Sequence, residues 1–77
     1  MSAKSEFKDP DSLIEEMISG QQQRLRALAA RIAPHLTGED LLQPHDHAEV
    51  RDHPDFQFED GVLAGYLAVR AALRASR

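Results

Sequence analysis

The sequence predicts an all-α protein: an antiparallel hairpin of two long helices, with one or two short helical turns in the connection. Three observations carry that expectation. A mostly apolar seam recurs at alternating steps of four and three over 14–35, and a second pattern of the same period runs over about 58–75. Between them lies a stretch punctuated by prolines and capping residues, unlike a flexible linker, which is rich in Gly and Ser.

Residues 1–10 are expected to form a disordered tail, and 11–77 a single helical domain. Asp-Pro-Asp-Ser at 9–12 is a helix start signal in which Asp11 or Ser12 caps; with Ser12 as cap, Glu15 stands at the reciprocal position of a capping box. The seam of the first helix is Ile14, Ile18, Gln21, Leu25, Leu28, Ile32 and His35, flanked by Met17, Ala29 and Leu36. Gln21 either fixes register on that seam or occupies a partly exposed place at mid-helix. Pro34 sets the end near Ala33, so the helix has about 22 residues and a length of roughly 33 Å.

In the connection, Thr37-Gly-Glu-Asp40 has the form of a capping sequence before Leu41 and Leu42, and Pro44 closes that turn. Asp46-His-Ala-Glu49 repeats the arrangement around Val50, with Pro54 soon after. Leu41, Leu42, Val50, Phe56 and Phe58 provide apolar surface to fold back on the helices. The last helix is expected over about 58–75, with Glu59 and Asp60 at its start and Arg70, Arg74 and Arg77 at its end, each suited to the helix dipole. One stripe is large (Val62, Tyr66, Val69, Leu73, with Leu63 and Leu67 beside it). The other is small (Gly61, Gly65, Ala68, Ala72, Ala75) and points to a close approach of another backbone. GxxxG acts as a membrane motif only within an apolar helix of about 20 residues, and this one is flanked by charges.

Charge alternates in sign along the chain: −3 over 1–20, +3 over 21–36, −7 over 37–60 and +3 over 61–77, for a net −4. An antiparallel hairpin sets Asp11, Glu15 and Glu16 beside Arg70, Arg74 and Arg77, whereas a parallel one juxtaposes like charges. Exposed pairs contribute only about 0–1 kcal/mol each, so they select a topology without driving folding.

Seventy-seven residues without cysteine bury roughly 60% of their unfolded surface, a marginal core with no disulfide to reinforce it. Each helix also carries more apolar surface than one partner covers. A homodimer with a four-helix arrangement is therefore expected. The first ten residues lack the apolar run of a signal peptide and no stretch has the length of a membrane span, so the expected location is the cytoplasm.

All four histidines and eight of thirteen acids lie within 35–60. His45, His47 and His53, with Asp46, Glu49, Asp52 and Asp55, supply the donor types of zinc or nickel sites. His45, Glu49 and His53 share a spacing of four, but Pro44 and Pro54 bracket them, and no HExxH or Cys/His framework is present. The bland reading has Asp46 and Asp52 capping turns and the histidines solvated. Histidine changes charge near neutral pH, so the alternative is a metal-binding or pH-responsive protein. Glu59, Asp60 and His53 have the residue types of acid–base catalysis, yet a chain this short leaves little room for a water-excluding cleft. Gly61 and Gly65 lack the lysine and preceding strand of a phosphate loop. The arginines are too sparse, and too mixed with acids, for a basic nucleic-acid stripe, which remains a second alternative.

The run Leu41-Leu-Gln-Pro-His-Asp46, followed by Asp55-Phe-Gln-Phe-Glu-Asp-Gly-Val-Leu-Ala-Gly65, resembles the signature of a family of short bacterial helical proteins of unknown activity. The resemblance covers roughly residues 36–73. It implies that the Pro-His-Asp turn and the start of the last helix act as one structural unit, and it transfers no catalytic residue. The function expected from these readings is a protein–protein interaction or accessory module, without catalysis or cofactor, presenting an acidic, histidine-containing edge to a protein partner.

Overall fold

The fold is that of a computed structural model, which describes residues 9–77. Helices α1 (Pro10–Ile32) and α3 (Pro54–Ala75) run antiparallel. The connection holds two 3₁₀ turns, Asp40–Leu42 and Pro44–Asp46, and the one-turn helix α2 (Ala48–Arg51). No strand occurs among the described residues. The direction of pairing is fixed by contacts at two levels: Gln21 meets Glu59, and Glu15 meets both Arg70 and Arg74 at 3.0 Å. Arg77 also reaches Asp11, so the expected acid–arginine pairing closes the open end of the hairpin.

Both long helices begin earlier than the sequence reading places them, for one reason. Proline at the first helical position gives up an N–H that has no partner there, and its φ already suits a helix. The helix therefore extends back through proline to the residue before it. Asp9, not Asp11 or Ser12, caps α1, accepting the Ser12 N–H at 2.8 Å, with Pro10 next. Asp9 and Pro10 thus belong to the helix, while the rest of the expected tail lies outside the described residues. Glu15 is thereby free of any capping duty and binds the arginines. At α3, His53 is the cap, its Nδ1 accepting the Asp55 N–H at 3.1 Å, and Pro54 opens the helix four residues before the expected start at 58.

The turn at 37–40 is closed reciprocally, as its sequence predicts. The Asp40 N–H donates to Thr37 Oγ1 at 3.1 Å, and the Thr37 N–H donates to Asp40 Oδ2 at 3.0 Å. The second expected cap is absent: α2 follows His47 with no side-chain bond at its start, and Asp46 ends the preceding 3₁₀ turn. Asp52 takes the Arg51 guanidinium at 3.2 Å instead of capping through its side chain.

The core joins Leu25, Leu28, Ala29 and Ala33 of the first helix and its cap to Val50 and Phe56, with Ile32, Leu36, Leu41 and Leu63 packed around them. Ile14, Ile18 and Gln21 continue the buried seam toward the open end. His35 falls beyond the helix end and is exposed. The connection does fold back, but Leu42 and Phe58 do not take part, being 65% and 70% exposed. Two positions along a helix are about 200° apart, so burying Phe56 turns Phe58 outward.

The glycine stripe likewise faces away from α1. Glu59, Leu63, Tyr66, Arg70 and Leu73 form the half-buried line toward α1, again at steps of four and three. Gly61, Gly65, Ala68, Ala72 and Ala75 are exposed, and a Cβ at either glycine would meet nothing within 4 Å. The close backbone approach expected of this stripe does not occur within the chain.

Candidate interaction face

The four histidines are dispersed by the fold. His45 Nε2 lies 3.0 Å from Asp60 Oδ1, and its ring stands edge-on to Phe56 with centroids 5.2 Å apart. His47 Nε2 is 3.9 Å from Asp40 Oδ1, and His35 Nε2 is 3.1 Å from Glu49 Oε1. His53 is occupied at the start of α3. The candidate metal ligands His45, His47 and His53 are therefore not brought together. Among the described residues no group of three or more His, Cys, Asp or Glu side chains is placed to hold a metal ion. The spacing of His45, Glu49 and His53 would need one continuous helix, and α2 spans only Ala48–Arg51.

Glu59 and Asp60, in the second turn of α3, are also engaged. Gln21 Nε2 donates to both the carbonyl and the Oε1 of Glu59 at 2.8 Å, and Arg24 Nε lies 3.3 Å from the same carboxylate. Gln21 is 7% exposed, which resolves its role: it is a buried seam residue that pins α1 to α3. Two carboxyls are held below their ordinary range: Asp40, chiefly by the Thr37 N–H and hydroxyl, and Asp9, chiefly by the Ser12 N–H. Both serve turns and caps.

What the fold leaves open is one broad side of the hairpin. On α1 the line Leu13, Met17, Gly20, Arg24, Ala27, Arg31 runs at steps of four and three, and all six are exposed. On α3 the line Phe58, Val62, Gly65, Val69, Ala72 does the same, with only Val62 half-buried. Two grooves lie between these lines. Toward the open end, Pro10, Leu13, Ile14, Met17, Tyr66, Val69 and Leu73 line a hollow of about 330 Å³ with no ionisable group except the tyrosine hydroxyl. Toward the connection, Phe58 borders a hollow of about 580 Å³ whose walls include Arg24, Arg31, Asp55 and Glu59. The opposite side is where the connection lies, with Leu41, Leu42, Pro44 and His45 over Gln22, Leu25, Arg26 and Leu63.

Leu13, Met17, Phe58 and Val69 are 48%, 38%, 70% and 50% exposed on this face. Apolar surface gathered on one side of a small chain marks an interaction site more often than scattered single residues do. The sequence contained the signal in Leu13, which lies off the seam beside Ile14, and in the two-residue spacing of Phe56 and Phe58. The arginines are mostly committed elsewhere: Arg70 and Arg74 to Glu15, Arg77 to Asp11 and Arg24 to Glu59. Among the described residues no helix is long and apolar enough to cross a membrane.

The chain matches no protein-family model, no curated protein and no solved structure.

Proposed function

We propose that this chain is a helical protein–protein interaction module, acting without catalysis or cofactor, whose working surface is the uncovered side of the hairpin. The single observation that carries the reading is the apolar groove of Leu13, Met17, Tyr66, Val69 and Leu73, open to solvent at the end of the molecule away from the connection. A core as small as that of 77 residues gains stability when such a surface is covered. Its first occupant in this reading is a second copy, giving a homodimer of four long helices. The acidic, histidine-bearing connection lies on the other side and stays available to a further protein partner, which suits an accessory role.

Size-exclusion chromatography with light scattering tests the reading. The native chain is expected to elute at twice the chain mass at micromolar concentration, and Val69→Asp at the chain mass with its helicity unchanged. A native chain of single mass and compact radius counts against it.

A further inference from the structure

Phe58 is the most exposed of the large apolar side chains on this hairpin among the described residues, at 70%. It stands at the connection end of the line Phe58, Val62, Gly65, Val69, Ala72, while the apolar groove opens at the other end of the same face. Within one chain the projecting ring and the groove cannot meet. Phe58 and Val69 are eleven positions apart on α3, roughly 16 Å along its axis. A second copy turned end for end removes that separation, and twofold symmetry then makes the contact twice.

We propose that two copies pack antiparallel through this face, with Phe58 of each seated in the other's groove against Val69. The arrangement rests on the self-association proposed above and specifies its geometry.

Two independent features agree with it. The register that sets Phe58 against the other copy's Val69 fixes the rest of the α3–α3 crossing. Moving four residues inward from each brings Val62 opposite Gly65, a half-buried branched side chain opposite a position with none. Glycine weakens a helix interior, and at Gly65 nothing in its own chain lies within 4 Å of where a Cβ would stand. The neighbour that Gly65 accommodates is then the second copy.

Charge on the face permits the arrangement. Arg24, Arg31, Asp55 and Glu59 around the hollow at the connection end balance one another, and the groove at the open end is lined by no charged side chain. The excess acid of the connection lies on the opposite side of the hairpin and is not brought into the contact. Size is sufficient as well. A body 48 Å long with cross-dimensions of 27 and 20 Å offers a side at least as large as the roughly 800 Å² per partner of a standard interface.

Because the chain has no cysteine, single introduced cysteines report contacts without background. Phe58→Cys and Val69→Cys are prepared separately, each at an exposed position, and oxidised mildly alone and as an equal mixture. The mixture is expected to give a covalent dimer containing one of each, in clear excess over either variant alone. A disulfide needs Cα atoms within about 7 Å, and two copies of the same site lie roughly 16 Å apart along the crossing helices. The mixed dimer keeps its second Phe58–Val69 contact intact, so association survives the substitutions. Independently, Phe58→Asp is expected to raise the dimer dissociation constant at least about 30-fold, the size of a hot-spot loss, with unchanged helicity.

A native chain of single mass at high micromolar concentration overturns both this arrangement and the reading beneath it. A native dimer with no preference for the mixed cross-link, or one indifferent to Phe58→Asp, overturns the arrangement alone and leaves self-association standing. A face occupied by a different protein would give the first of these results.

Discussion

Gln21 sits in the seam of α1 with both of its long-range bonds directed to Glu59, one to the carbonyl and one to the carboxylate, at 2.8 Å each. A net hydrogen bond contributes about 1 kcal/mol, and bonds to a charged group about 1.5–3 kcal/mol. Gln21→Ala removes both and leaves part of the Glu59 environment unpaired. It is expected to lower unfolding free energy by about 2–3 kcal/mol, measured by urea titration under monomeric conditions. A change below about 0.5 kcal/mol, the range of an ordinary surface substitution, would show that the amide does not hold the helices together. The two phenylalanines make a paired test of burial. Phe56, 1% exposed, is expected to cost about 3–5 kcal/mol on replacement by alanine, while Phe58→Ala changes the stability of the single chain by less than about 0.5 kcal/mol.

Asp40 supplies the pH dependence at this scale. Its folded carboxyl lies below the ordinary value of 3.8 because the Thr37 N–H and hydroxyl favour the charged form. A lowered folded value means that the stabilisation is complete above the unfolded value and is lost as pH falls through the folded one. The melting-temperature gap between native chain and Asp40→Ala is therefore expected to hold steady from pH 7 to about 5 and to narrow in stronger acid. A gap that persists undiminished at pH 2 would show that the charge on Asp40 is irrelevant to the turn.

At the scale of elements, the period of the apolar residues made α1 and its buried face legible: Ile14, Ile18, Leu25 and Leu28 lie where spacing puts them. The helix starts were less legible because Pro10 and Pro54 read as boundaries when they are first helical residues. The four-residue error at α3 hid Phe58, since the angular position of a side chain follows only once the helix frame is known. Whether Gln21 was buried also depended on a partner 38 positions away, which no local pattern encodes. The scattered histidines have a similar cause, since their clustering in sequence gave no information on the separate turns that hold them.

The glycine stripe gives the sharpest prediction for a single element. Alanine in place of a helix-interior glycine gains about 1 kcal/mol, and at Gly65 the added methyl meets no atom of its own chain. Gly65→Ala is expected to raise the stability of the isolated chain while weakening dimer formation, because the proposed arrangement has the second copy's α3 cross there. Unfolding measured well below the dimer dissociation constant, beside association measured above it, separates the two effects. Gains in both would mean that nothing packs closely on Gly65.

For the whole molecule, the connection covers one side of the hairpin and leaves the other with Leu13, Met17, Phe58 and Val69 in water. Burial of such surface is favourable by about 25 cal/mol per Å² before the costs of association, so covering it favours association. The acid–arginine pairs at the open end are exposed and select orientation more than they add stability. The measurement that bears most directly on this account is sedimentation equilibrium of the native chain over a dilution series from high micromolar to nanomolar. A reversible monomer–dimer equilibrium, with the dimer dominant in the micromolar range, is the predicted result. A single-chain mass at every loading would contradict it.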